Sequence, residues 1–321
     1  MDRLLFGEAL LPRQHPQRVL VNLKVRKFEN VVRPYQLLLP FMAIIGLYVQ
    51  AKKALYRFFG GSKCVPRTNS WFFDGISVNG RRVKDGSARW PALEAVYNFR
   101  EGEGSNRLVR WIDAFWLHIR NAQAVRNRLS IVERELASAI LKVARSKVSG
   151  EPVRILSIAA GSGQAVIETV ERMRRAGIQC EVVLIDQDET ALAYARKLAE
   201  QYGVGDLVTA RAGNAVFFYR ELQGFVPDII EMCGLMDYLD DRLAVALIKK
   251  IRRYVHAEGF FLTCHIHPNA ESHFLRYAIN WDMLYRSRQE LEGLLVEGGF
   301  LGAELHTEPH RIHSVAVAQK L

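Results

Sequence analysis

The chain has 321 residues, about half of them apolar and a quarter charged, with a formal net charge of +10. This composition excludes a disordered chain, and the length provides one large domain or two smaller ones with a sizeable core. The charge is uneven: the first 60 residues hold ten Lys/Arg against three Asp/Glu, so this end would attract nucleic acid, acidic lipid or an anionic substrate. Cys64, Cys180, Cys233 and Cys264 are far apart and lack metal-site spacing, which reads as reduced thiols of a cytosolic protein with no metal. The N-terminus has no clear apolar core followed by a small-residue cleavage site, so no signal peptide is expected.

Residues 37–49 (LLLPFMAIIGLYV) are the most hydrophobic run, interrupted by Pro40 and Gly46. They fall short of the roughly 20 residues needed to cross a bilayer. Three readings stand for residues 33–57: a buried helix on the rest of the protein, a surface helix whose Arg33, Lys52, Lys53 and Arg57 meet an anionic membrane, or a short anchor. The same cations also suit an ordinary helix C-terminus. Residues 60–106 carry turn signals between the short apolar pieces 71–73 and 76–78, which predicts short strands or irregular cover with a hairpin at 77–82.

From 107 to 147 apolar residues recur at helical spacing, predicting one long helix or two consecutive ones. Within them Arg126 and Arg128 are candidates for holding a carboxylate, because a guanidinium binds one bidentately. A solvated basic face is the plainer alternative.

The stretch 153–188 organises the rest. An apolar strand is followed by the small-residue turn Ala159, Ala160, Gly161, Ser162 and Gly163, a helix from Gln164, and a second apolar strand that ends at Asp186. The turn lets the backbone approach a ligand closely, and the helix start directs free N–H groups at it. Asp186, 23 residues beyond Gly163, can accept hydrogen bonds from two ribose hydroxyls, so an adenosine-type cofactor is expected at this edge. Gly-x-Gly turns also join strands to helices with no ligand, and it is the strand–helix context that adds weight here. Val166 stands where a dinucleotide fingerprint needs its third glycine, which argues against a nicotinamide cofactor.

The turn resembles motif I of the class I S-adenosylmethionine-dependent methyltransferases, with Ser157, Ala159, Gly161 and Gly163 on the motif positions. Ser157 departs from the usual acid and Ala159 from the first glycine, which puts the hydrogen bonds to the methionine end of the cofactor in question. The resemblance implies S-adenosyl-L-methionine as cofactor, held by these residues with Ala160, Asp186, Gln187, Gly213, Asn214, Cys233 and Gly234. Asn214 stands where such enzymes often place an acid for the adenine amino group, and its side-chain oxygen can accept the same bond. The resemblance also implies that the 107–147 helices cover the cofactor cleft and that the loop 234–241 (GLMDYLDD) contacts cofactor and substrate.

Further strands are predicted at 207–212, 227–233, 260–265, 300–306 and 313–319, the last two antiparallel, with helices at 189–202 and 243–255 and another ending at 298. Together they predict an α/β, doubly wound, seven-stranded Rossmann-like sheet with a mostly helical N-terminal extension, divided as residues 1–106 and 107–321.

The blocks LIDQDETALAYA, GLMDYLDD and WDMLYRSRQEL are similar to a bacterial group of methyltransferases related to enzymes that form methyl esters of 3-hydroxy fatty acids. That resemblance implies a small or lipid-like acceptor, a fatty acyl carboxylate or hydroxyl. Methyl transfer to a hydroxyl needs a proton acceptor, whereas a carboxylate needs none. His265 and His267, expected in a loop just past the fifth strand, are the candidate bases, with Tyr238 beside them. Asp237, Tyr238, Arg126, Tyr285 and Arg286 are the candidate acceptor-binding residues, although aromatic residues at such places are more often core. His306 and His310 have the spacing of a helical metal site, but Pro309 between them argues against a helix. No RNA-binding module is evident. The remaining alternative is a non-catalytic, membrane-associated binding protein on the same fold.

Overall fold

The computed structural model describes residues 27–31, 39–60, 74–99, 106–148 and 150–321. The predicted pieces at 71–73, most of the linker 100–106, Cys64 and Arg33 lie outside the described residues.

Seven strands form one sheet: β1 (Val153–Ile158), β2 (Cys180–Asp186), β3 (Val208–Ala212), β4 (Ile229–Cys233), β5 (Phe260–Ile266), β6 (Glu304–Thr307) and β7 (His313–Gln319), in the order β3-β2-β1-β4-β5-β7-β6. The first five are parallel, and β7 runs antiparallel to β5 and β6. The inner strands are buried on both faces, which is why they read as continuous apolar runs.

Successive residues nevertheless serve different layers. On one face Ile155, Val182, Leu184 and Leu262 meet α5 (Arg120–Ser146), α6 (Gln164–Arg175) and α7 (Glu189–Gln201). On the other face Leu156, Val183, Ile230 and Phe261 meet α8 (Asp241–Tyr254) and α9 (Arg288–Glu297). Each such Ile, Leu or Val contributes about 1.5–3 kcal/mol by leaving water. Helices on both faces of a mostly parallel sheet make this the doubly wound α/β fold that the pattern predicts.

Three further helices cap the carboxyl edge of the sheet: α2 (Val78–Asp85), α3 (Trp90–Tyr97) and α4 (Arg107–His118). Residues 107–146 are thus two helices, broken at Ile119 (φ −57°, ψ 154°). With α5 and residues 266–283 these helices enclose a separate apolar cluster that includes Ile112, Phe115, Trp116, Phe274 and Ile279.

The structure corrects three boundaries. The expected hairpin at 77–82 is α2, because Ser77 accepts a hydrogen bond from the Gly80 amide (2.7 Å) and caps a helix. Gly80 is there for close packing, since a Cβ would sit 2.7 Å from Trp116 Nε1. The fifth strand extends to Ile266, because His265 and Ile266 pair with Ser314 and His313, so His265 belongs to a central strand and not to a loop. β6 begins only at Glu304, after a turn at Gly302 (φ +71°).

Helix α1 (Leu39–Gly60) packs through Gly46 against Tyr277 and buries Val49, while Ile44, Leu47, Leu55 and Phe58 face outward. No helix among the described residues is long and apolar enough to cross a membrane.

Candidate active site

The strand order reverses at β1, whose neighbours β2 and β4 lead away in opposite directions, and ligands bind outside the carboxyl ends at such a point. A cavity of about 520 Å³ lies there. Its floor is the turn after β1, where Ala159, Gly161 and Gly163 adopt φ of 53°, 56° and 65°. Gly163 starts α6 in the left-handed region, and a Cβ on it would lie 2.9 Å from Leu184 Cδ1, so both conformation and space call for glycine.

Asp186 ties this floor together. Its Oδ2 accepts from the Gly161 amide and its Oδ1 from the Asp188 amide, both at 2.8 Å, while its carbonyl accepts from Gly213 at 2.9 Å. One residue therefore fixes the ends of β1, β2 and β3 around the cavity. Ala160, Gln187, Asn214, Cys233 and Gly234 also line it. Asn214 Oδ1 accepts from the Val216 amide (2.8 Å) and caps the turn after β3. Helix α3 covers the floor: Glu94 accepts from Tyr194 (2.9 Å), Asn98 pairs with Gln164, and Trp90 donates to Thr190 (3.2 Å). Burial raises the Glu94 carboxyl above the usual range, against hydrogen bonds from Ser162, Tyr194 and Asn98 that lower it.

The remaining cavity wall is largely apolar, formed by residues such as Leu93, Val96, Trp116, Ile119, Leu275 and Met283. Polar groups enter it at a few points. Glu231 is 6% exposed and accepts from Ser157 Oγ at 2.5 Å. Burial pushes its carboxyl above the ordinary range, opposed by bonds from Ser157 and Cys233 and by the charge of Arg128. Arg128, 4% exposed, donates to Tyr97 Oη at 3.1 Å. His313 is held well below its usual pKa by burial and by Arg128, and so stays neutral. Tyr238 accepts from Trp281 Nε1 (2.6 Å), and burial raises its phenol far above the usual range.

Several candidates from the sequence stand outside the cavity. Ser157 lies beneath it, bonded to Glu231. Arg126 makes a bidentate pair with Glu29 (2.6 Å to each oxygen) and donates to the Leu117 carbonyl (2.7 Å), holding residues 27–31 against α5. Tyr285 belongs to the wall of the capping cluster. His265 and His267 are buried behind the loop that carries Asp237 and Tyr238. His265 Nδ1 lies 2.8 Å from Asp237 Oδ1, which also accepts from the Ile266 amide at 3.0 Å. His267 bridges the Arg286 carbonyl and Ser314 Oγ, both at 2.7 Å, and desolvation lowers its pKa. Arg286 donates to the carbonyls of Met236 (3.0 Å) and Leu239 (2.5 Å) and pairs with Asp241 (2.8 Å). His265 and Arg286 hold the loop in place, and its Gly234, Leu235, Asp237, Tyr238 and Leu239 line the cavity.

Glu231 and His313 line the cavity without having been singled out from the sequence. The signal for Glu231 was a lone acid inside the apolar strand 227–233. Among the described residues no group of three or more His, Cys, Asp or Glu side chains is arranged to hold a metal.

A doubly wound sheet with a glycine turn at its switch point and an acid closing the neighbouring strand puts the cavity where α/β enzymes bind their ligands. The family described as "Putative methyltransferase" matches residues 47–320, and the chain belongs to that family. It is therefore a methyltransferase. No curated protein sequence matches it. Among solved structures, a possible exported protein from Bordetella parapertussis is similar with a TM-score of 0.63 and 17% identity, covering 90% of this chain and 97% of that one. The CMeT domain of the citrinin polyketide synthase follows with a TM-score of 0.57 and 14% identity, covering 96% and 94%. The DszA carbon methyltransferase has a TM-score of 0.51 and 18% identity, covering 75% and 65%. At these identities the likeness concerns the fold.

Proposed function

We propose that the protein transfers a methyl group from S-adenosyl-L-methionine to a small, largely apolar acceptor, a fatty acyl carboxylate or hydroxyl. The observation that carries this reading is the make-up of one cavity: a glycine turn and Asp186 at one end, an enclosed apolar wall at the other. The residues fit such a cofactor, because the left-handed turn at Ala159, Gly161 and Gly163 brings bare backbone to the cavity floor, and Asp186 is an acceptor beside it. Asp186 would hold the ribose, with Gln187, Gly213 and Asn214 around the base. When bound, the cofactor supplies a methyl group already activated on a sulfonium.

The chain's own work is then to bind, orient and keep out water. Helices α3 to α5 shield the cavity, and the Trp281–Tyr238 hydrogen bond fixes the wall near Asp237. The phenol of Tyr238, kept protonated by burial, positions the acceptor and does not take its proton. His265 holds the loop through Asp237, and His267 ties the Arg286 carbonyl to Ser314. A carboxylate acceptor needs no base, which suits this arrangement.

The test is incubation with methyl-labelled cofactor and a lipid extract, followed by identification of the labelled product. Label in ester-bound acyl chains supports the reading, and label in RNA or protein overturns it. We propose a cytoplasmic location, with residues 33–57 touching an anionic membrane surface. Support for that contact is the outward Ile44, Leu47, Leu55 and Phe58 beside Arg57 on α1. Failure to sediment with anionic vesicles would remove it.

A further inference from the structure

Ser157 occupies the place of an acid in the motif that the β1 turn resembles, and the structure shows what stands beside it. On the adjacent strand, in register with Ser157, is Glu231. The Ser157 hydroxyl donates to its Oε2, and Glu231, not Ser157, lines the cavity. The carboxylate missing from β1 is thus present one strand over, with the serine as its support.

A second buried charge faces the same cavity. The Arg128 guanidinium has five N–H donors, and its hydrogen bond among the described residues goes to the phenol of Tyr97, a neutral partner. It forms no ion pair with Glu231 or with any other acid among the described residues. Buried charges are retained where something compensates them. Here a carboxyl and a guanidinium are buried around one cavity without touching, with the Asp237 carboxylate acting on Arg128 only through its charge, and such a pair is the complement of a ligand that carries both charges itself.

We propose that Glu231 and Arg128 form a seat for the α-amino acid end of the cofactor, Glu231 taking the ammonium and Arg128 the carboxylate. The inference rests on the cofactor reading above. It makes β4 and α5, not the end of β1, the carriers of the ionic contacts. A guanidinium suits the role because its planar fork binds a carboxylate through two parallel bonds. The nucleoside end remains with Asp186, so the two halves of the ligand are held by separate groups.

The test is calorimetric titration of the full chain with S-adenosylhomocysteine and with 5′-methylthioadenosine, which keeps the nucleoside and sulfur but lacks the amino acid. Glu231→Gln and Arg128→Gln are each expected to weaken S-adenosylhomocysteine tenfold or more and methylthioadenosine less than threefold. Asp186→Asn is expected to weaken both. Retained methylthioadenosine binding shows that a variant is folded. If a neutral variant does not fold, Glu231→Asp and Arg128→Lys keep the charges and are expected to show the same split at smaller amplitude. Unchanged S-adenosylhomocysteine binding, or an equal fall for both ligands, would overturn the seat and leave the cofactor reading standing. Binding of neither ligand by the unaltered protein would overturn both.

Discussion

Replacing Arg286 with alanine tests how the loop between β4 and α8 is held. The side chain is buried and donates to two loop carbonyls, those of Met236 and Leu239. Hydrogen bonds from a charged donor contribute about 1.5–3 kcal/mol each, and truncation leaves both carbonyls without that donor. The third contact, to the exposed Asp241, adds less than about 1 kcal/mol. Arg286→Ala should therefore cost about 3–5 kcal/mol, a fall in Tm of about 4–8 °C for a chain of this length. Urea and thermal denaturation read the cost directly. Binding of methylthioadenosine should change little, because Asp186 and the glycine turn lie on other strands, while methyl transfer should fall with the displacement of Asp237 and Tyr238. A cost below about 1 kcal/mol would refute the claim that this guanidinium fixes the loop.

Gly163→Ala forces a left-handed alanine at roughly 1–2 kcal/mol and presses on Leu184. A loss of about 2–4 kcal/mol in urea denaturation is expected, with weaker cofactor binding. Ser77→Ala removes the cap of α2 and the partner of Asp113, and should cost about 1–2 kcal/mol. A neutral result there would favour the hairpin over the helix. His267 and His313 have folded-state pKa values lowered by burial. Above pH about 6.5 neither state binds these protons. As pH falls below that value the unfolded chain takes them up first, so stability should decline by up to about 1.4 kcal/mol per unit for each histidine. Denaturation between pH 8 and 5 should show the decline, and His267→Gln with His313→Gln should flatten it.

Much of this architecture was legible because parallel strands buried on both faces leave continuous apolar runs, and amphipathic helices leave a period of 3.6. β1, β2 and β7 were located within a residue, as were both ends of the glycine turn. What was not legible depends on contacts far apart in sequence. Asn-Gly at 79–80 reads locally as a turn, and only the cap from Ser77 and the approach of Trp116 make it helical. Arg126 and Arg128 are equivalent in sequence, yet one faces Glu29 and the other the cavity. His265 and His267 sit near the right edge of the sheet, but pairing of β5 with β7 buries both behind the loop.

Whether Asp186 holds the ribose of an adenosine cofactor is decided by one titration. S-adenosylhomocysteine and its analogue without the ribose hydroxyls are each titrated against the unaltered protein and Asp186→Asn. Micromolar binding of S-adenosylhomocysteine by the unaltered protein is expected, with a loss of tenfold or more, about 1.4 kcal/mol, in the variant. For the analogue the loss should be much smaller, because the carboxylate would have no hydroxyls to receive. Equal losses for both ligands, or no loss for either, would contradict a ribose held by Asp186.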